Sequence, residues 1–186
     1  MRKPPGAIGI DRFAVAGVDV VCDLNAALPI ADNAAAEIRA CHVLEHLDDV
    51  AGAMREIWKV CRPGGRVKIW TPHFSSGLAS WSDPTHKRTF TTSSFEYFQP
   101  ENNSHYAQAR FRVDRIRLHF SPGGGHQSGR KLRERLYHRL GRALERWANH
   151  SRRRQKRVER FLCRLVSFDE LYVELRAEKQ PAGVVD

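Results

Sequence analysis

A chain of 186 residues that is 41% hydrophobic and shows no internal repeat suits one ordinary domain with a sizeable core. No run approaches the roughly 18 apolar residues that cross a membrane. Cys22, Cys41, Cys61 and Cys163 are scattered without a CxxC pair, which excludes a disulfide framework or a zinc ribbon. Three of the cysteines sit inside apolar segments and read as small buried hydrophobes in a reducing compartment. The first six residues hold no apolar stretch of signal-peptide type, so a cytoplasmic location is expected. The net charge of +10 is concentrated: Arg130 to Arg164 carries 14 Lys/Arg against 3 Asp/Glu, and the remainder is close to neutral. The basic character therefore belongs to one segment.

In chain order, residues 7–11 and 17–23 read as short strands, each ending in an acid (Asp11, Asp23). Their nearly continuous apolar runs predict burial on both faces. Residues 28–33 form a loop. Residues 36–41 predict a strand running into His42-Val43-Leu44-Glu45-His46-Leu47. Asp48 or Asp49 then caps an amphipathic helix whose apolar stripe is Val50, Ala53, Met54, Ile57, Trp58 and Cys61. Pro63-Gly64-Gly65 stops it, and residues 67–71 resume as a strand. This is one β-α-β crossover of a parallel sheet, and ligands of such sheets sit beyond the carboxyl ends of the strands. His42 to Leu47 lies at such an end.

The polar stretch from Pro72 to about Asn103 has the length of a functional loop or lid. It carries Asp83-Pro84-Thr85-His86-Lys87-Arg88 and then Phe90, Phe95, Tyr97 and Phe98. Residues 111–120 alternate with one slip in phase between Val113 and Ile116, predicting a strand with a bulge. Ser121-Pro122-Gly123-Gly124-Gly125 is a break. Residues 129–149 predict a helix with Leu132, Leu136, Leu140, Leu144 and Trp147 in one stripe. Residues 151–166 predict a second, with Val158, Phe161, Leu162 and Leu165 as its apolar face. Residues 168–176 alternate as a last strand, and the final residues should fray.

In their order and spacing, Gly9-Ile10-Asp11, Asp23-Leu24-Asn25, Leu28-Pro29 with Asp32-Asn33, His42 to Leu47, Arg62-Pro63-Gly64-Gly65 and Pro72-His73 together resemble the class I S-adenosylmethionine-dependent methyltransferases. The block 83–88, with Phe90-Thr91 and Ser94-Phe95, is similar to a bacterial and archaeal subgroup. The resemblance is close from Ala7 to His105 and holds in outline from Phe111 to Arg176. It implies an α/β, Rossmann-like parallel sheet with a final antiparallel strand, to which the basic helical segment is added. Within one domain it makes residues 7–72 the cofactor-side half, 73–109 the substrate-side loop and 110–176 the C-terminal strands and basic helices.

The resemblance further implies S-adenosylmethionine as cofactor. Asp11 would accept hydrogen bonds from the ribose hydroxyls, Asp23 would meet the adenine amino group, and Leu24 would cover the ring. His42 and Val43 would border both cofactor and acceptor. On the substrate side, His73, Asp83 and His86 are the candidate catalytic groups, because a carboxylate can orient an imidazole that takes a proton from a hydroxyl. Glu45 and His46 read either as capping and packing around Asp48 or as catalytic groups. No metal ligand set is legible. The expected acceptor is a small molecule or a saccharide- or lipid-linked precursor, since the Asn-Pro-Pro-aromatic motif of amino-group methylases is absent.

The family's first strand and glycine-rich loop have no counterpart in the sequence, so an N-terminally incomplete sheet and weak or no cofactor binding are expected. A second reading is a non-catalytic protein that uses the Arg-rich helices to hold nucleic acid, by counterion release, or the surface of an anionic membrane. No zinc-finger spacing or RNP-type motif supports specific nucleic-acid readout.

Overall fold

The computed structural model describes residues 3–102, 108–120 and 132–179, with side chains of 132–138 excepted. The Ser121–Gly125 break, the helix start at Gly129 and the frayed C-terminus lie outside the described residues. The central crossover is present as expected. Strand β3 (Ala35–Cys41) pairs in parallel with β4 (Cys61–Pro72), and helix α1 (Val50–Val60) connects them. The Asp49 side chain caps α1 by accepting the Gly52 amide, at 2.8 Å. Ala53, Met54, Ile57 and Val60 are buried, so the helical spacing of apolar residues is the packing face.

The helix ends earlier than Pro63 suggested. Cys61 is already extended and pairs with Ala35, whereas the next pair in register is Arg66 with Glu37. Arg62 to Gly65 is therefore a bulge in β4, and Gly64 at φ 71° supplies its left-handed residue.

The sheet continues through β6 (Glu170–Ala177), antiparallel to both β4 and the edge strand β5 (Phe111–His119), giving the order β3-β4-β6-β5. The last strand is thus the antiparallel one, and β3, β4 and β5 run the same way. Leu171, Val173 and Leu175 are fully buried, as the alternation required. The expected bulge in β5 is there, as a register shift between Val113 and Arg115.

Strands β1 (Ile10–Asp11) and β2 (Val20–Val21) form a separate parallel pair. Here the sequence expectation fails. Ile8 and Val21 are 63% and 59% exposed, because among the described residues no strand pairs with the outer edges of this two-stranded sheet and little covers its faces. Apolar continuity signals burial only when there is a second layer to bury against.

The basic helices also dock differently from the leucine stripe. Helix α3 (Leu132–Ala148) exposes Leu140 and Trp147, and its inward positions are Gly141, Leu144, Glu145 and Ala148. A Cβ at Gly141 would overlap the Phe120 ring, so glycine sets how closely the helix approaches. Helix α4 (Arg152–Arg157) runs into a wider turn at Val158–Leu162; Val158 is buried, but Phe161 and Leu165 are exposed. Polar side chains, besides the buried Ala148 and Val158, join this corner to the outer edge of β5. Asn149 Nδ2 donates to the Leu118 carbonyl at 2.7 Å while its Oδ1 accepts the Leu118 amide at 2.8 Å. Gln155 donates to the Ile116 carbonyl, and Glu145 accepts the Phe120 amide. The edge is thereby blunted by polar side chains. Replacing Asn149 by Ala orphans two backbone groups, and chemical denaturation is expected to show a loss of about 2 kcal/mol.

The 72–103 stretch is not a bare loop. It holds α2 (Gly77–Trp81) and a helical turn at Glu96–Phe98, and it buries Phe90, Phe95 and Phe98. Among the described residues no helix is long and apolar enough to cross a membrane.

Candidate active site

Four carboxyl ends of parallel strands gather the polar residues. Asp11 ends β1 and accepts the Phe13 amide at 2.9 Å. Asp23 follows β2; the backbone and side-chain amides of Asn25 both donate to it, and with the charges of Arg12 and Lys87 they hold its carboxyl below the usual range. Asn25 Oδ1 in turn accepts the Asp48 amide at 2.8 Å, which ties the loop after β2 to the turn after β3. Leu24 packs against the core beside it.

The turn after β3 is strained at its first residue. His42 has φ 52°, a left-handed conformation uncommon for a side-chain-bearing residue, and its amide donates to the Trp70 carbonyl. The imidazole is half exposed and lies between two carboxylates, Glu170 at 3.2 Å and Glu45 at 3.3 Å. The hydrogen bond to Glu170, then the Glu45 carboxylate beside the ring, raise its pKa to about 9 against the opposing effect of partial burial. Val43 is half-buried next to it. Glu45 is fully buried: Oε2 accepts the Thr71 hydroxyl at 3.1 Å, and Oε1 accepts no hydrogen bond, His42 standing off the hydrogen-bond line.

The block 83–88 folds back onto this turn. The Lys87 amide donates to the Glu45 carbonyl, Lys87 Nζ pairs with Asp48, and Arg88 donates to the Asp48 carbonyl. His46 and His86 meet ring edge to face, centroids 4.7 Å apart. Asp83 lies 3.9 Å from His86 Nε2. Hydrogen bonds from the Thr85 hydroxyl and amide hold the Asp83 carboxyl below the usual range. Of the three expected catalytic groups, Asp83 and His86 are thus brought together.

His73 lies a layer deeper. It is fully buried, Nε2 donates to Glu159 at 3.0 Å, and Nδ1 is paired with Ser75 Oγ at 2.8 Å. Glu159 also accepts the amide and hydroxyl of Thr92, both at 2.6 Å. Burial raises the Glu159 pKa, but the hydrogen bonds from His73 and Thr92 outweigh it and the net direction is down. His73 connects to His86 through Ser80, whose hydroxyl donates to the His73 carbonyl and whose carbonyl accepts from His86 Nδ1.

Comparison with known proteins places this arrangement. Residues 7–69 match the model of the methyltransferase domain family. Over 56 residues the chain is 41% identical to the ubiquinone/menaquinone biosynthesis C-methyltransferase UbiE of Desulfotalea psychrophila, which takes in 30% of this chain and 22% of that enzyme. In three dimensions it is similar to an S-adenosylmethionine-dependent methyltransferase from Archaeoglobus fulgidus (TM-score 0.54, 15% identity, 91% of this chain and 75% of the other). It is similar too to the YcgJ protein of Bacillus subtilis (TM-score 0.54, 15% identity, 94% and 82%). The fold is that of the class I methyltransferases.

Within the methyltransferase fold, the family match covers the stretch that carries Asp11, Asp23, Leu24, His42 and Val43. His73, Asp83 and His86 lie beyond it. Three participants went unread in the sequence. Glu170 and Glu159 come from segments more than 80 residues away, and Thr85 looked like an ordinary turn residue. No local spacing could have shown the first two. The nearest signal was that a segment of 14 basic residues keeps three acids at all. Two of these, Glu145 and Glu159, point inward onto β5 and His73.

Proposed function

We propose that this chain takes part in S-adenosylmethionine-dependent methyl transfer to a hydroxyl- or amine-bearing small molecule, or to a saccharide- or lipid-linked precursor. The observation that carries the reading is the link of Asp23 to the turn that follows β3, through Asn25 and Asp48, with Asp11 at the end of the strand paired with β2. Carboxylates after successive parallel strands suit the ribose hydroxyls and the adenine amino group of a nucleoside cofactor. Leu24 would cover the ring, and His42 with Val43 would border the methionine end and the acceptor.

On the acceptor side, the Ser80 carbonyl orients His86 through Nδ1, His86 Nε2 takes the acceptor's proton, and Asp83, 3.9 Å from Nε2, stabilises the imidazolium that forms. The acceptor oxygen or nitrogen attacks the methyl carbon in line. The carbon–sulfur bond breaks with its electron pair going to sulfur, leaving S-adenosylhomocysteine. His73, buried and bonded at both ring nitrogens, is a positioning residue in this scheme. It fixes the end of β4 and, through Ser80, the His86 ring.

The test is binding of S-adenosylhomocysteine, followed by NMR up to millimolar ligand. Asp11→Ala is expected to weaken binding by about tenfold to a hundredfold, the loss of charge-assisted hydrogen bonds to two hydroxyls. Asp23→Ala should cost about tenfold. Binding indifferent to both substitutions overturns the reading.

A further inference from the structure

Glu45, His46 and His86 each offer one ligand-type atom, and the three atoms lie within 4.8 Å of one another. The hydrogen bonds around them settle which nitrogens are available. His86 Nδ1 sits 2.9 Å from the Ser80 carbonyl, which can only accept, so Nδ1 carries the proton and Nε2 the lone pair. Thr85 has a single hydroxyl proton, and Oγ1 lies 2.7 Å from Asp83 Oδ1, which also only accepts. The hydroxyl therefore donates to Asp83 and accepts from His46 Nδ1 at 2.9 Å, again leaving Nε2 with the lone pair. Each imidazole thus has its far nitrogen held by an oxygen, as metal-bound histidines do.

The third group is a carboxylate that is fully buried, with Oε1 accepting no hydrogen bond and only the His42 imidazole standing near it, at 3.3 Å. Atoms 2.0–2.2 Å from a common ion lie about 3–4 Å apart, so side-chain shifts of about an ångström close the set. The His86 imidazole is 8% exposed, and His46 is intermediate in burial.

We infer that Glu45, His46 and His86 form a binding site for a first-row divalent transition cation of the zinc class. Two imidazoles and a carboxylate select such ions over magnesium, which prefers oxygen and water. The site stands on these side chains alone and does not depend on methyl transfer.

The experiment uses the untagged, chelator-stripped full chain titrated with Co²⁺, read by visible d–d absorption, with Zn²⁺ as competitor. One displaceable Co²⁺ per chain is expected. His46→Gln and His86→Gln, at partly exposed positions, should each weaken binding at least about tenfold while the circular dichroism is unchanged. Thr85→Val keeps all three ligands but frees the His46 ring, and should also cost about tenfold. Wild-type protein that binds no Co²⁺ at millimolar concentration, or binding that both histidine variants leave intact, overturns the site.

Discussion

Glu159→Ala is expected to cost about 3–5 kcal/mol of folding stability, a fall of roughly 10 °C or more in Tm, measured by calorimetric or chemical unfolding. One carboxylate serves three donors there: His73 Nε2, the Thr92 amide and the Thr92 hydroxyl. His73 and Thr92 are both fully buried, so truncation strands donors where water does not replace the lost acceptor. The loss is not confined to one contact. His73 also pairs with Phe90 as an isolated bridge, Ser75 is bonded to the Phe168 backbone, and Arg152 reaches the Thr92 carbonyl. Three segments, the end of β4, the 90s turn and the basic helices, share this carboxylate.

The same network predicts an acid limb. The folded-state pKa of Glu159 is depressed below its unfolded value near 4.5. Its contribution is therefore fully present above that value and is lost as pH falls through the lower, folded pKa. Glu159→Gln should flatten this part of the stability–pH curve below about pH 4.5 while remaining folded at neutral pH. An unchanged acid limb in the Gln variant would show that other carboxylates control acid unfolding.

How much of this was legible in the sequence divides along a physical line. Elements stabilised by their own periodicity were readable: α1 through its apolar stripe, β6 through its alternation, and the β5 bulge through a slip in phase. The expected order of strand ends, and with it Asp11, Asp23 and His42, was readable because short-range turns fix which residues stand at a strand's end. What depends on neighbours across the chain was not. The exposure of β1 and β2 follows from what packs on them, not from their own residues. The α3 face follows from Glu145 and Gly141, with Asn149 just beyond, meeting β5, so Leu144 of the leucine stripe packs inward while Leu140 and Trp147 do not. His73 read as a catalytic candidate from its residue type and its place at the end of a strand, and its partner Glu159 was not legible because it lies 86 positions away. Glu45 and His46 could be read either way until the 83–88 block was seen folded onto them.

His86→Ala is expected to reduce methyl transfer by about a hundredfold to ten-thousandfold, the usual contribution of a positioned general base. The readout is release of S-adenosylhomocysteine with a panel of hydroxyl- and amine-bearing acceptors, while affinity for S-adenosylhomocysteine stays within about twofold. Asp83→Asn should lose less, since the Ser80 carbonyl still holds the ring through Nδ1. The neighbouring His46 separates this role from the cation site. Proton and cation need the same Nε2 lone pair of His86, so at any moment the ring serves one or the other. His46→Gln removes a cation ligand but leaves the Asp83–His86 pair, and its rate without metal should stay within a few-fold of wild type. Saturating Zn²⁺ should then slow the wild-type chain and leave His46→Gln nearly unaffected. A rate that rises with Zn²⁺ in the wild type, and is lost equally in His46→Gln and His86→Ala, would remove the base role from His86 and make it a ligand alone.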